Sequence, residues 1–205
     1  MKLLVATRSR HKVEEIRSIL SDVPDIDLID LAAAGIPESP AEDALEPYDT
    51  FEENARSKAA YFHRLSGLPT VSDDSGIEVD ALGGRPGVKS RRFAPLPETA
   101  SREEQDQANN RHLLQLLSDV EPARRTARYV CVAVLKSASG EALFRGTAEG
   151  RVLDEPRGRG GFGYDPFFLV PELGCTFGEA PAAQKNALSH RGKAFRALAA
   201  HLRAR

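Results

Sequence analysis

Val71-Ser72-Asp73-Asp74-Ser75-Gly76 constrains this chain more than any other stretch. An extended apolar run ends there in two adjacent carboxylates, a hydroxyl and a glycine. Consecutive side chains on a strand point to opposite faces, so Asp73 and Asp74 do not share one job. One can face a cleft while the other ties down a turn. Taken alone, Asp-Asp-Ser-Gly reads as ordinary turn chemistry.

The preceding chain alternates strand and helix. Lys2–Ala6 reads as a buried strand, followed by Thr7-Arg8-Ser9-Arg10-His11-Lys12 and a helical pattern through Val13, Ile16, Ile19 and Leu20. A strand, a short polar loop and a helix start bring backbone N–H groups and the helix dipole to the loop. With Thr7, Ser9 and Lys12 this is an anion site, or equally a capped helix with solvated basic residues. Asp27–Leu31 is a second short strand, and Ala32–Asp49, with three prolines, reads as an irregular loop. Thr50 and Glu53 fit a capping box for a helix running to Ser66, with Gly67 as its stop. Phe51, Ala55, Phe62 and Leu65 form that helix's apolar stripe, yet Lys58 lies in the middle of it and Asn54 flanks it. A lysine there must snorkel out or meet an anion.

Beyond the acidic stretch, Gly83-Gly84-Arg85-Pro86-Gly87-Val88-Lys89-Ser90 is not a P-loop: Val88 separates glycine from lysine, and no helix is expected to begin there. Ser101 and Glu104 open another helix through Leu113, Leu114 and Leu117. Ala127–Lys136 is a strong strand, turned at Ser139-Gly140 into a second one running towards Val152. Gly158–Gly163 matches G-x-G-x-x-G by letters, but an extended Tyr164-Asp165-Pro166 follows where the dinucleotide motif needs a helix. The segment reads as a glycine loop presenting Phe162 and Tyr164, either to stack on a base or to pack in the core. Gln184-Lys185-Asn186 leads to a last helix with the stripe Leu188, Phe195, Ala199 and Leu202; Arg191 lies at its edge and His190 turns away.

With 205 residues, one domain of two lobes is expected over 1–205. A net charge of −2 and the lack of clustered basic residues argue against a nucleic-acid partner. Short, charge-broken apolar runs argue against a membrane span. The absence of a signal-peptide pattern, and two cysteines without metal-ligand spacing, suit a reduced, cytoplasmic setting. Scattered histidines without H-x-x-x-H argue against zinc chemistry, and no G-x-S-x-G marks a serine elbow. What remains is a set of carboxylates able to hold Mg²⁺ and cations able to hold phosphate, which suggests phosphoanhydride chemistry.

Several ordered motifs then converge. They are the strand–loop–helix ending at Lys12, TFEENARSKA at 50–59, SDDSG at 72–76, GGRPGVKSRRF at 83–93, GGFGYDP at 160–166 and SHRGKA at 189–194. Together the chain resembles the inosine/xanthosine triphosphate pyrophosphatases. The resemblance implies hydrolysis of nonstandard purine nucleoside triphosphates (ITP, dITP, XTP) to monophosphate and pyrophosphate, with Mg²⁺ as cofactor, in a homodimer. It implies an α/β fold: an elongated two-lobed structure on a long mixed β-sheet with flanking helices, the active site in the central cleft. Carried over by motif, Asp74 is the catalytic carboxylate and a metal ligand, with Glu46 as the second metal-linked acid. Thr7, Arg8, Ser9, Arg10, His11 and Lys12 form the substrate loop; Lys58 binds phosphate, and Ser75 touches substrate. Phe162, Gly163, Tyr164, Asp165, Lys185, His190 and Arg191 form the base-recognition set. Asp73 is left to support the turn. The substrate loop usually reads T-G-N-x-x-K, so Arg8 and Ser9 depart from the pattern, and the lost glycine changes how closely that backbone can approach phosphate. A related pyrophosphatase of other base preference, a non-catalytic nucleotide sensor and a nucleic-acid module are the rival readings.

Overall fold

In the computed structural model, which describes residues 1–97 and 99–204, seven strands form one mixed sheet in the order β2-β1-β3-β4-β5-β6-β7. The strands are β1 Lys2–Val5, β2 Asp27–Asp30, β3 Thr70–Val79, β4 Thr126–Ser137, β5 Gly140–Val152, β6 Phe168–Val170 and β7 Cys175–Thr176. β1 runs parallel to β2 and β3, whereas β6 is antiparallel to β5 and β7. The helices are α1 Arg10–Leu20, α2 Phe51–Ser66, α3 Arg102–Leu116, α4 Ala182–Leu188 and α5 His190–Arg203. The chain divides into two compact units: 1–74 with 131–146 and 190–205, and 75–130 with 147–189. Among the described residues no helix is long and apolar enough to cross a membrane.

Strand parity builds the first unit. Leu3 and Val5 point into a core with Ile16 and Leu20 of α1, Cys131 and Ala133 of β4, and Phe195 and Leu198 of α5. Leu4 and Ala6 point the other way, into a core with Leu31, Leu45 and Phe62 of α2. A parallel strand covered on both faces reads as the continuous apolar run seen in the sequence. Truncating Phe195 or Phe62 to alanine is expected to cost about 3–5 kcal/mol. In the second unit Ile77, Val79, Leu113, Leu117, Val152 and Val170 surround an aromatic group. There the Tyr129 and Phe168 ring centroids lie 4.7 Å apart, and those of Phe168 and Phe177 5.5 Å apart.

Local signals explain the helix ends. Thr50 Oγ1 accepts the Glu53 N–H at 3.2 Å, but it also donates to the Glu53 carboxylate at 2.6 Å, so the expected capping box is met from one side only. Gly67 ends α2 in the left-handed region at φ 68°, where a side chain would be strained, and its N–H reaches the His63 carbonyl. At α3 the Ser101–Glu104 box is complete, with bonds of 3.2 and 2.8 Å.

Four sequence expectations are corrected. Ser72–Gly76 is no turn: it lies within β3, which continues to Val79. Turn composition is a local preference, and it yields here because Ser72, Asp73 and Asp74 are buried and find distant partners. The irregular loop at 32–49 contains a 3-10 helix at Pro40–Leu45, closed by a Ser39–Glu42 capping box. Another 3-10 helix occupies Gly87–Arg92, where no helix is expected from the sequence. The last helix is two, α4 and α5, broken at an extended Ser189.

Candidate active site

β3 separates its two carboxylates by parity. Asp73 meets Lys12 of α1 at 3.0 Å and Arg191 of α5 at 3.4 Å, and accepts from the Cys131 thiol at 3.8 Å. All three converge on Oδ2, while Oδ1 is buried with no hydrogen-bond partner among the described residues. Burial works against the Asp73 charge, but the Lys12 and Arg191 cations outweigh it and hold the carboxyl well below the usual range. So Asp73 supports no turn; it is a locked structural anion. Arg191, buried as well, also meets Glu15 at 2.5 Å. Burial disfavours its charge too, yet Asp73 and Glu15 hold the guanidinium firmly protonated.

Asp74 points to α2. Its Oδ2 accepts the Asn54 amide at 3.2 Å, and Lys58 stands 3.7 Å from its Oδ1. Burial raises the pKa of the Asp74 carboxyl from its ordinary value, and Lys58 and Lys12 pull only part of that back. Lys58 does not snorkel. It donates to the Asp73 carbonyl at 2.7 Å and to Glu46, whose backbone caps the 3-10 helix at Pro40–Leu45. Burial disfavours the ammonium, but Asp74, Glu46 and Asp73 outweigh it and raise its pKa. Two carboxylates with an ammonium drawn between them form a hard, negative donor set. Mg²⁺ takes one or two carboxylates plus substrate phosphate oxygens, so Glu46 and Asp74 fit it. Among the described residues no three His, Cys, Asp or Glu side chains group as a metal-binding set of their own.

The substrate loop is held internally. Ser9 caps α1 by accepting the Lys12 N–H at 3.4 Å, and Thr7 Oγ1 accepts the Ser9 N–H at 3.2 Å. Arg10 and His11 are exposed on the first turn of α1. The Arg8 side chain is turned to the acid-bearing segment. Its Nε and Nη2 grip the Glu42 carboxylate at 3.0 and 2.7 Å, and Nη1 and Nη2 donate to the carbonyls of Ile36 and Pro37 at 3.0 and 2.9 Å. At the start of α5, His190 is buried beside Arg191.

In the second unit Asp165 organises the glycine loop. Its Oδ2 accepts the Phe162 N–H at 2.8 Å and the Lys185 ammonium at 2.7 Å. Gly161, at φ 72°, allows this approach: a Cβ there would fall 2.1 Å from that same oxygen. The Lys185 ammonium lies 5.1 Å from the centroid of the half-buried Phe162 ring. Of the two aromatics read as presented by the loop, Tyr164 is in the core and its hydroxyl donates to the Ser90 carbonyl at 2.8 Å. Ser75, partly buried on β3, belongs to this unit.

Two contributions escaped the sequence reading. Asn54 uses both ends of its amide on Tyr48, accepting its N–H and donating to its carbonyl at 3.0 Å each, while also donating to Asp74. The polar residue beside a lysine in an apolar stripe was the available signal. Asp106 and Asn110 of α3 bond both backbone polar groups of Gly163. Nothing local to α3 announces that contact.

Comparison with known proteins places the chain and its fold. The Ham1 family model matches residues 3–201. A dITP/XTP pyrophosphatase of Geobacter sulfurreducens is 45% identical, over 98% of this chain and 96% of its own. One from Exiguobacterium sibiricum is 46% identical, over 98% and 97%. The solved structure of a HAM1 protein from Coxiella burnetii superposes with a TM-score of 0.85 at 33% identity and covers both chains fully.

Proposed function

Because the chain belongs to the Ham1 family, we propose that it hydrolyses nonstandard purine nucleoside triphosphates, ITP, dITP and XTP, to the nucleoside monophosphate and pyrophosphate, cleansing the nucleotide pool. The observation that carries the chemistry is the contrast along β3. Asp73 is locked as an anion by two cations, whereas burial lifts the neighbouring Asp74, which stands beside Lys58 and Asn54.

Asp74 is then the general base. A carboxyl whose pKa burial raises takes a proton better than an ordinary one. It accepts a hydrogen bond from water and removes its proton as the water oxygen bonds to the α-phosphorus. The bond from that phosphorus to the α,β-bridging oxygen breaks, and pyrophosphate leaves. Lys58 sets a positive charge against the phosphate oxygens, and the Thr7–Lys12 loop brings the start of α1, with its helix dipole, to them. Glu46 and Asp74 would hold Mg²⁺, which neutralises phosphate charge when bound. Phe162, Asp165 and Lys185 take the base, whereas the Arg191 guanidinium stays with Asp73 and Glu15. A donor aimed at the 6-oxo group is satisfied by hypoxanthine or xanthine and left unpaired by adenine, at about 1–3 kcal/mol per buried donor. A homodimer in the cytoplasm is part of the same proposal, on the family resemblance.

Hydrolysis of ITP in H₂¹⁸O, followed by ³¹P NMR and mass spectrometry, tests the cleavage site. The expected result is ¹⁸O in IMP, unlabelled pyrophosphate, and activity lost in Asp74→Asn. Orthophosphate as product, or label in pyrophosphate, would refute attack at the α-phosphorus.

A further inference from the structure

The glycine loop that carries Phe162 is held by an element outside every motif named above. On α3, Arg102, Asp106 and Asn110 recur every four residues and so share one face. Asp106 Oδ2 accepts the Gly163 N–H at 3.1 Å, and Asn110 Nδ2 donates to the Gly163 carbonyl at 3.0 Å. Arg102 Nε donates to Asp106 Oδ1 at 3.2 Å, and its guanidinium carbon lies 5.9 Å from the Phe162 ring centroid. Each peptide is planar, so gripping both the N–H and the C=O of Gly163 fixes the two peptide planes that flank it. One of those planes is shared with Phe162 and the other with Tyr164.

The neighbouring face of α3 holds the surrounding frame. Asn109 accepts the Ala94 N–H at 2.8 Å and donates to the carbonyls of Ser90 and Arg91 at 3.2 and 3.0 Å. Tyr164 anchors to that same Ser90 carbonyl. The loop is thus gripped at Phe162 by Asp165, at Gly163 by Asp106 and Asn110, and at Tyr164 by the segment α3 supports. Of these, Asp106 and Asn110 act on the residue directly beside Phe162. Charge-assisted bonds such as that from Gly163 N–H to Asp106 are stronger than neutral ones.

We propose that Arg102, Asp106 and Asn110 are positioning residues for purine selection: they hold the Phe162–Tyr164 loop in the shape that discriminates between bases. This rests on the assignment of Phe162, Asp165 and Lys185 to the base. Asp106 and Asn110 dominate, because each bonds the loop backbone directly; Arg102 orients Asp106 and covers the ring.

The test uses the full chain with Asp106→Ala, Asn110→Ala and the conservative Asp106→Asn, which keeps an acceptor oxygen for Gly163. Steady-state kinetics with ITP, XTP and GTP are paired with inhibition by inorganic tripolyphosphate, a probe without a base. Either alanine variant is expected to reduce the kcat/KM preference for ITP over GTP about tenfold, mainly through a higher KM for ITP. That corresponds to about 1.4 kcal/mol. Tripolyphosphate inhibition should stay within about twofold, and Asp106→Asn should retain most of the preference. Equal losses with ITP and GTP, or a matching loss of tripolyphosphate inhibition, would reduce the α3 residues to general support and overturn the proposal. A selective wild type whose preference survives both alanines overturns the positioning role alone. A wild type that releases no pyrophosphate from ITP overturns the function, and this with it.

Discussion

Asp73→Asn and Asp74→Asn are neighbouring, nearly isosteric changes with opposite expected outcomes. The Asp73 carboxylate is fully buried between Lys12 and Arg191. Neutralising it leaves Arg191, 2% exposed, to Glu15, and leaves Lys12, 17% exposed, to turn towards water. Breaking a buried ion pair from one side costs about 3–5 kcal/mol. Because Glu15 remains and Lys12 can be rehydrated, the loss is expected near the lower end, about 3 kcal/mol. For a chain of this size that lowers Tm by roughly 6–12 °C. The Asp73 pKa is lower in the folded state than in the unfolded chain, so its stabilisation is present above the unfolded value and fades as pH falls. The gap between wild type and Asp73→Asn should therefore begin to narrow below about pH 4 and shrink further as pH falls. Asp74 has the reverse sign: folding raises its pKa, so its charge opposes folding at neutral pH. Asp74→Asn should melt at or above the wild-type temperature while hydrolysis falls by about 10²–10⁴-fold. Thermal melts between pH 3 and 8, read by circular dichroism and paired with pyrophosphate release, measure both. A Tm for Asp73→Asn within about 2 °C of wild type at pH 7, or a lower Tm for Asp74→Asn than for Asp73→Asn, would refute the division of roles.

Asn54→Ala unfastens Tyr48 and removes a donor from Asp74, and should cost about 1–3 kcal/mol in urea denaturation while depressing kcat; a change in stability with kcat intact would limit Asn54 to structure. Arg8→Gly removes the Glu42 ion pair and two carbonyl bonds but no contact free for phosphate, so KM for ITP should move less than about threefold while stability falls by about 1–2 kcal/mol; a tenfold rise in KM would place the guanidinium on the substrate. Iodoacetamide under native conditions should modify Cys175 and spare Cys131, which is fully buried and whose thiol burial pushes well above its usual pKa; mass spectrometry of the peptides reads the result.

Features governed by neighbours in sequence were legible. Gly67 stops α2, Ser101 and Glu104 cap α3, and the alternation of Leu3, Leu4 and Val5 marks a strand buried on both faces. Lys58 in an apolar stripe leaves two readings, a snorkelled chain or a nearby anion, and the contacts with Glu46 and Asp74 decide for the anion. The acidic stretch reads as a turn because its composition is local, whereas Lys12 and Arg191, which hold Asp73 within β3, lie far from it in sequence. The 3-10 helix at Pro40–Leu45 had a readable signal in Ser39 and Glu42, hidden among prolines. The α3 grip on Gly163 spans 57 and 53 residues. No periodicity within a single helix encodes a contact with a loop that far away.

The parity of β3 also bears on which genetic changes this chain tolerates. Its register beside β1 is set where Leu4 meets Thr70 and Val5 meets Val71, just ahead of the two carboxylates. An insertion or deletion of one codon between Val71 and Asp73 would turn every later side chain to the opposite face. The anion meant for Lys12 and Arg191 would then face α2, and the base would be sealed against α1 and α5. Point substitutions here damage one function at a time, whereas a single length change removes both. Variation around this strand should therefore accumulate as replacements, with length changes confined to loops such as the one ahead of Glu46.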